Sequence, residues 1–107
     1  MKTEFSLFEH AARERFLGTR YRASGLREEL EKLIETGVEV VLDFKDVAAT
    51  QSFIDELLGV LVLERGPDLI NRLAFRSCSE DVKAIINFVI GDRIEQYQQM
   101  HQPPLPH

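Results

Sequence analysis

The run Leu42-Asp43-Phe44-Lys45-Asp46-Val47-Ala48-Ala49-Thr50-Gln51-Ser52-Phe53-Ile54-Asp55-Glu56-Leu57-Leu58-Gly59 decides how the rest of the chain is read. Its left end closes the stretch Val38-Glu39-Val40-Val41-Leu42-Asp43, which is short, β-branched and nearly all apolar. Such a stretch reads as a strand buried on both faces of a sheet. Its right end opens a helix on which Phe53, Ile54, Leu57, Leu58, Leu61 and Val62 wrap almost all round, so that helix is expected to be mostly buried. Ser52 stands where the helix begins and reads as its N-cap, with Asp55 at the spacing of a capping box. Asp55 and Glu56 fall in the first turn, where carboxylates oppose the positive end of the macrodipole. Gly66-Pro67 ends the helix.

Upstream, Leu26, Leu30, Leu33 and Ile34 make one helical stripe over 25–36, with Ser24 placed as its cap and Gly37 as its stop. Residues 3–8 alternate as a first strand, Phe5 and Leu7 inward, Glu4 and Ser6 outward. Residues 9–24 show no clean period; a short helix and a loop with a second short strand both fit. Downstream, residues 72–76 suggest a strand with Leu73 and Phe75 on one face. Ser79 then caps a helix whose stripe is Val82, Ile85, Ile86, Val89 and Ile90, with Gly91 a point where it ends or bends. Helices alternating with strands imply an α/β sandwich with parallel crossovers. The expected organisation is a single domain over 1–97 and a flexible, Gln-, His- and Pro-rich tail over 98–107.

At 107 residues with a formal net charge of −5, the chain fits one soluble domain and argues against a phosphate-backbone partner. Arg13, Arg15, Arg20, Arg22 and Arg27 lie close together but alternate with acids, and read as solvated surface. The single cysteine, Cys78, allows no intrachain disulfide and fits a reducing compartment; with no basic neighbour beside it in sequence, it reads as a packed side chain rather than a nucleophile. The N-terminus lacks a signal peptide's apolar core, and no run is long enough to cross a bilayer, so a cytoplasmic protein with no membrane partner is expected. His10, His101 and His107 show no metal-ligand spacing, and no glycine-rich phosphate loop occurs; no cofactor, metal or catalytic residue is expected. Asp43, Asp46, Asp55 and Glu56 as a metal site is the less economical reading beside capping and solvation.

The octapeptide Thr50-Gln51-Ser52-Phe53-Ile54-Asp55-Glu56-Leu57, preceded by Val41-Leu42-Asp43-Phe44 and Val47, resembles the STAS-like domain family, relatives of the anti-sigma-factor antagonists. Leu26-Arg27, Glu31, Gly37 and Val82-Lys83-Ala84-Ile85-Ile86 sit where that family places its first and last helices. The resemblance implies a STAS-like sandwich, a mixed β-sheet with helices packed on it, and a non-catalytic role in partner switching. It implies a partner of the GHKL, histidine-kinase-like ATPase class, which in the antagonists phosphorylates a hydroxyl at this strand-to-helix turn and so abolishes binding. That places the candidate phosphosite on Ser52, with Thr50 second. The antagonists carry Asp-Ser-Ser/Thr-Gly here, whereas this chain reads Gln51-Ser52-Phe53-Ile54. The partner-binding surface is expected at Thr50, Gln51, Ser52, Asp55 and Glu56, rimmed by Lys45 and Asp46. Two other readings stand beside it: a homodimer through the 82–97 helix, suggested by surplus apolar residues such as Phe88, and a ligand pocket or enzyme using acids near Asp43 and Asp55.

Overall fold

A computed structural model describes residues 2–7, 9, 16–17 and 20–101. Among them the strands are β1 (Lys2–Ser6), β2 (Phe16–Leu17), β3 (Glu39–Asp43), β4 (Ala48–Ala49) and β5 (Leu73–Arg76). The long helices are α1 (Arg20–Glu35), α2, which joins Gln51–Ile54, Asp55–Gly59 and Val60–Arg65 end to end, and α3 (Glu80–Met100). A 3₁₀ segment, Pro67–Arg72, leads from α2 into β5.

The main sheet has the order β1-β3-β5, and β2 pairs with β4 alone. All described pairings are parallel, with Phe5 opposite Leu42 and Leu42 opposite Phe75. The mixed sheet expected from the family resemblance is therefore not what the described strands form. The reason is topological: a helix lies between each pair of neighbours in the main sheet, so each return strand runs the same way.

The expectation that the central strand is buried on both faces is also corrected. Val40 and Leu42 are buried, whereas Glu39 is exposed and Val41 and Asp43 are only half-buried. Helices cover the face carrying Phe5, Val40 and Leu42, against which Leu73 and Phe75 also pack. The other face presents Lys2, Glu4, Glu39, Ala74 and Arg76 to solvent. An uncovered parallel face must be polar, and here Arg76 spans it, bonding Glu4 at 2.7 Å and Asp43 at 3.0 Å.

Several local expectations shift by a turn. The first helix begins at Arg20, and Ser24 lies inside it. Ala23 is buried and carries the stripe back one turn from Leu26, so packing overrides the local cap signal at Ser24-Gly25. Gly37 does end the helix, at φ +88°, and Arg72 donates to the Ile34 carbonyl at 2.8 Å. Between the first strand and this helix, Phe16–Leu17 form the second short strand β2, while Leu7 and Glu9 are helical, so elements of both expected alternatives are present. The last helix does not stop at Gly91; it runs to Met100, and the His101 ring stacks on Tyr97 at 4.0 Å. Residues 98–100 are thus helical, while the proline-rich stretch 103–106 lies outside the described residues.

The fold turns on α2. Its apolar residues come in adjacent pairs spaced by four: Phe53-Ile54, Leu57-Leu58 and Leu61-Val62, all six fully buried. At 3.6 residues per turn each step of four overshoots by about 40°, so the first and last pairs would diverge by roughly 80°. The π-helical turn Asp55–Gly59, closed by the Val60 N–H bonding the Asp55 carbonyl, inserts an extra residue and takes up that drift. The trade favours the insertion: exposing one pair forfeits about 4 kcal/mol, against about 1 kcal/mol for a disturbed backbone hydrogen bond. The turn also brings α2 close to α3 at Gly59. A Cβ there would overlap the Asp55 Oδ1 atom and press on Arg93 and Val89, whereas a Cβ at Gly91 meets open space.

The two helical glycines should therefore answer alanine with opposite signs. In chemical denaturation Gly91→Ala is expected to stabilise by about 0.5–1 kcal/mol. Gly59→Ala is expected to destabilise by about 1–3 kcal/mol. Stabilisation by both would remove the close approach as the reason for glycine at 59.

Candidate functional site

The chain leaves β4 in an extended conformation, and the first residue able to cap the following helix is Thr50, at φ −82° and ψ 162°. Its Oγ1 accepts the Phe53 N–H at 3.1 Å. The expected assignment of Ser52 as N-cap is overturned, because Ser52 already lies within the helix, in its first turn. The capping box falls with it: the Asp55 carboxylate points to α3 and not back along its own helix. Ser52 and Gln51 are both exposed, and Thr50 is half-buried.

Gln51 and Ser52 open onto a groove of about 450 Å³. Arg20 enters it from the start of α1, Gln51, Ser52 and Asp55 from α2, and Phe88, Asp92, Arg93 and Gln96 from α3. Phe88 is 58 % exposed, the larger of the two big apolar side chains that the described surface leaves open in mid-helix or at its end. Lys45 and Asp46, expected at the rim, sit instead on the turn between β3 and β4. Asp46, at φ +59°, lines a separate hollow with Ser77 and Cys78.

The groove is flanked by an ion-pair chain. Arg93 grips both oxygens of Asp55, at 2.7 Å from Nε and 2.7 Å from Nη2. Arg20 bridges Asp55 at 3.4 Å and Glu56 at 3.2 Å. Arg27 holds the Glu56 carboxylate at 3.0 Å and its carbonyl at 2.9 Å, and lies 3.7 Å from Glu31. Arg65 then joins Glu31 at 3.5 Å to Glu35 at 2.9 Å. Arg20 and Arg27, which read in sequence as solvated surface, are thus paired across helices; Arg13 and Arg15 lie outside the described residues.

Electrostatics follow the geometry. The Arg93 guanidinium, aided by Arg20, holds the Asp55 carboxyl below its ordinary value of 3.8 against the opposing pull of burial. Arg76 lowers Asp43 and Glu4 in the same sense on the sheet's open face. Burial pushes the Cys78 thiol up, away from a reactive thiolate. Three of the four acids weighed as a metal site are divided between arginines, Asp43 to Arg76, Asp55 to Arg93 and Glu56 to Arg27, while Asp46 lies apart on the β3–β4 turn. Among the described residues no three metal-ligating side chains converge. Nor is the groove an acidic pocket; Asp43 is absent from its lining, and Asp55 and Asp92 are matched there by Arg20 and Arg93.

Sequence reasoning missed Arg20, Arg27 and Arg93 as neighbours of the site, because they lie 29 to 38 residues from their partners. One signal was present. Arg93 falls four residues after Val89, on the buried stripe of Val82, Ile86 and Val89. A charge on an apolar stripe must find a counter-charge.

The cap assignment gives a direct comparison. Thr50→Ala should cost about 1 kcal/mol. Ser52→Ala should stay within about 0.5 kcal/mol, and the reverse ranking in urea titrations would contradict the cap at Thr50. The carboxylate shift gives a second test. Because the folded-state value of Asp55 is depressed, its contribution is full above 3.8 and is lost as pH falls through the lower folded value. Stability measured from about pH 5 down to pH 2 should therefore fall less steeply in Arg93→Met than in the parent chain.

No helix among the described residues is long and apolar enough to cross a membrane. No curated protein and no solved structure matches the chain. A family model described as a STAS-like domain of unknown function (DUF4325) matches residues 23–83, from the first helix through the Thr50–Ser52 turn into the start of the last helix. With more than half of its length so matched, the chain belongs to this STAS-like domain family.

Proposed function

We propose that this domain works by binding, and that the first turn of α2, with the groove beside it, is where a partner protein docks. The observation that carries the reading is the exposed Gln51-Ser52 pair opening onto a groove whose α3 wall carries the exposed Phe88. A rigid polar turn beside an accessible aromatic is the arrangement of an interface anchor with its polar rim. The partner class that fits the family resemblance is a histidine-kinase-like ATPase in a bacterial partner-switching pathway in the cytoplasm.

Ser52 is the modifiable hydroxyl in this reading, with Thr50 second. A phosphate on Ser52 would face a helix N-terminus that accommodates anions. The acids beside it, Asp55 and Glu56, are offset by Arg20, Arg27 and Arg93. The fold therefore tolerates the added charge, and its effect falls on whatever surface packs over the turn.

A second reading, self-association through α3, rests on the exposure of Phe88. It ranks lower because Glu80, Asp81, Asp92 and Glu95 also face solvent on that helix and would repel a second copy.

Affinity capture from the native host, with phosphosite mapping on the same sample, is the test. Recovery of a histidine-kinase-like ATPase is expected, with Ser52→Glu and Phe88→Ala each weakening the complex at least about tenfold, the loss of one interface anchor. An ATPase complex indifferent to both substitutions places the contact elsewhere. Light scattering that finds a dimer abolished by Phe88→Glu would favour the second reading.

A further inference from the structure

We infer that Arg93 is a positioning residue for the Thr50–Ser52 turn, acting through Asp55 across the space left by Gly59. Three observations converge on this. The Asp55 backbone N–H bonds the carbonyls of Gln51 and Ser52, so Asp55 closes the turn that displays both side chains. Its side chain, 17 % exposed, is held at two points by Arg93, itself 21 % exposed. The guanidinium is in turn fixed on α3, where Nη1 donates to Gln96 at 3.1 Å and Gln96 donates to Asp92 at 3.0 Å. One residue thus ties the orientation of the exposed turn to a different helix.

Gly59 makes the tie geometrically open. The π turn lays the Asp55 carboxylate over Gly59, on the side facing α3, and a methyl group there would occupy the place of Oδ1. Arg20 contacts the same carboxylate only at 3.4 Å and is 54 % exposed, so it cannot substitute for the bidentate grip. Lysine at 93 would restore the charge but not the two-point geometry. That difference separates positioning from plain charge neutralisation.

The importance of this coupling for function rests on the docking reading above, but its test does not. Amide hydrogen exchange on the free, full chain reports the Phe53, Ile54 and Asp55 amides, which bond to Thr50 and to the first-turn carbonyls. In Arg93→Met these amides are expected to exchange at least tenfold faster, while those of Val60–Arg65 in the same molecule keep their protection. Gly59→Ala, which leaves every charge in place, should show the same excess loss at the first turn on top of its uniform global destabilisation, and Arg93→Lys should rescue the turn only in part. Arg65→Met, at the far end of the ion-pair chain, should leave the first turn unchanged. Unchanged protection in Arg93→Met, a uniform loss along all of α2, or full rescue by lysine would each overturn the assignment. Should Arg93→Met fail to fold, Gly59→Ala and Arg93→Lys carry the same comparison. A chain that captures no ATPase would remove the docking reading and leave these exchange rates as informative as before.

Discussion

Phe53-Ile54, Leu57-Leu58 and Leu61-Val62 repeat every four residues, and a helix of 3.6 residues per turn rotates the last pair about 80° away from the first. Much of the molecule follows from how that mismatch is resolved. The extra residue of the π turn keeps the six side chains buried between α1, α3 and the sheet. It also turns Asp55 out of its own helix and toward α3, where an arginine and a glycine receive it. The exposed turn at Thr50–Ser52 is then held from two directions, by its own cap and by a neighbouring helix. The feature that completes the core and the feature that shapes the candidate docking surface are the same five residues.

Apolar periodicity made most of the architecture legible. The stripes of α1 and α3, the strands β3 and β5, the stops at Gly37 and Gly66 and the cap at Ser79 all depend on side-chain spacing or on local backbone preference, which a single chain displays openly. What escaped depended on contacts between distant elements. The reading of Ser52 as cap was locally reasonable, but the hydroxyl that caps is the one at which extended chain meets helix, and that point was set by where β4 ends. The near-continuous apolar run at 38–43 looked two-sided because Val41 is apolar; the polar residues of that face, Glu4 opposite Val41 and Arg76 opposite Asp43, come from strands far away in sequence. The unbroken apolar wrap of α2 was visible as a wrap, yet its spacing of four also encoded the π turn.

The arrangement fits the docking role proposed for the groove. Asp43, Asp55 and Glu56 are each paired with an arginine, and burial raises the Cys78 thiol. Gln51, Ser52 and Phe88, exposed at the groove, are the groups the proposed docking would use. Their backbone support is rigid, so little conformational freedom is left to lose when a partner orders them. The chain belongs to a STAS-like domain family of unknown function, and the docking role is the proposal this division of labour supports.

The chain of ion pairs from Arg93 to Glu35 is not uniform along its length. Asp55, Arg27 and Glu56 are shielded by the helices, whereas Arg20, which links Asp55 to Glu56, is 54 % exposed and Glu35 at one end is 61 % exposed. Mobile counter-ions reach the exposed end freely and the interior poorly, with a Debye length near 8 Å in physiological salt. Ionic strength therefore acts on this bundle as a graded solvent variable: it loosens the Arg20 bridge and the seam at the C-terminal ends of α1 and α2, and spares the Arg93–Asp55 and Arg27–Glu56 pairs.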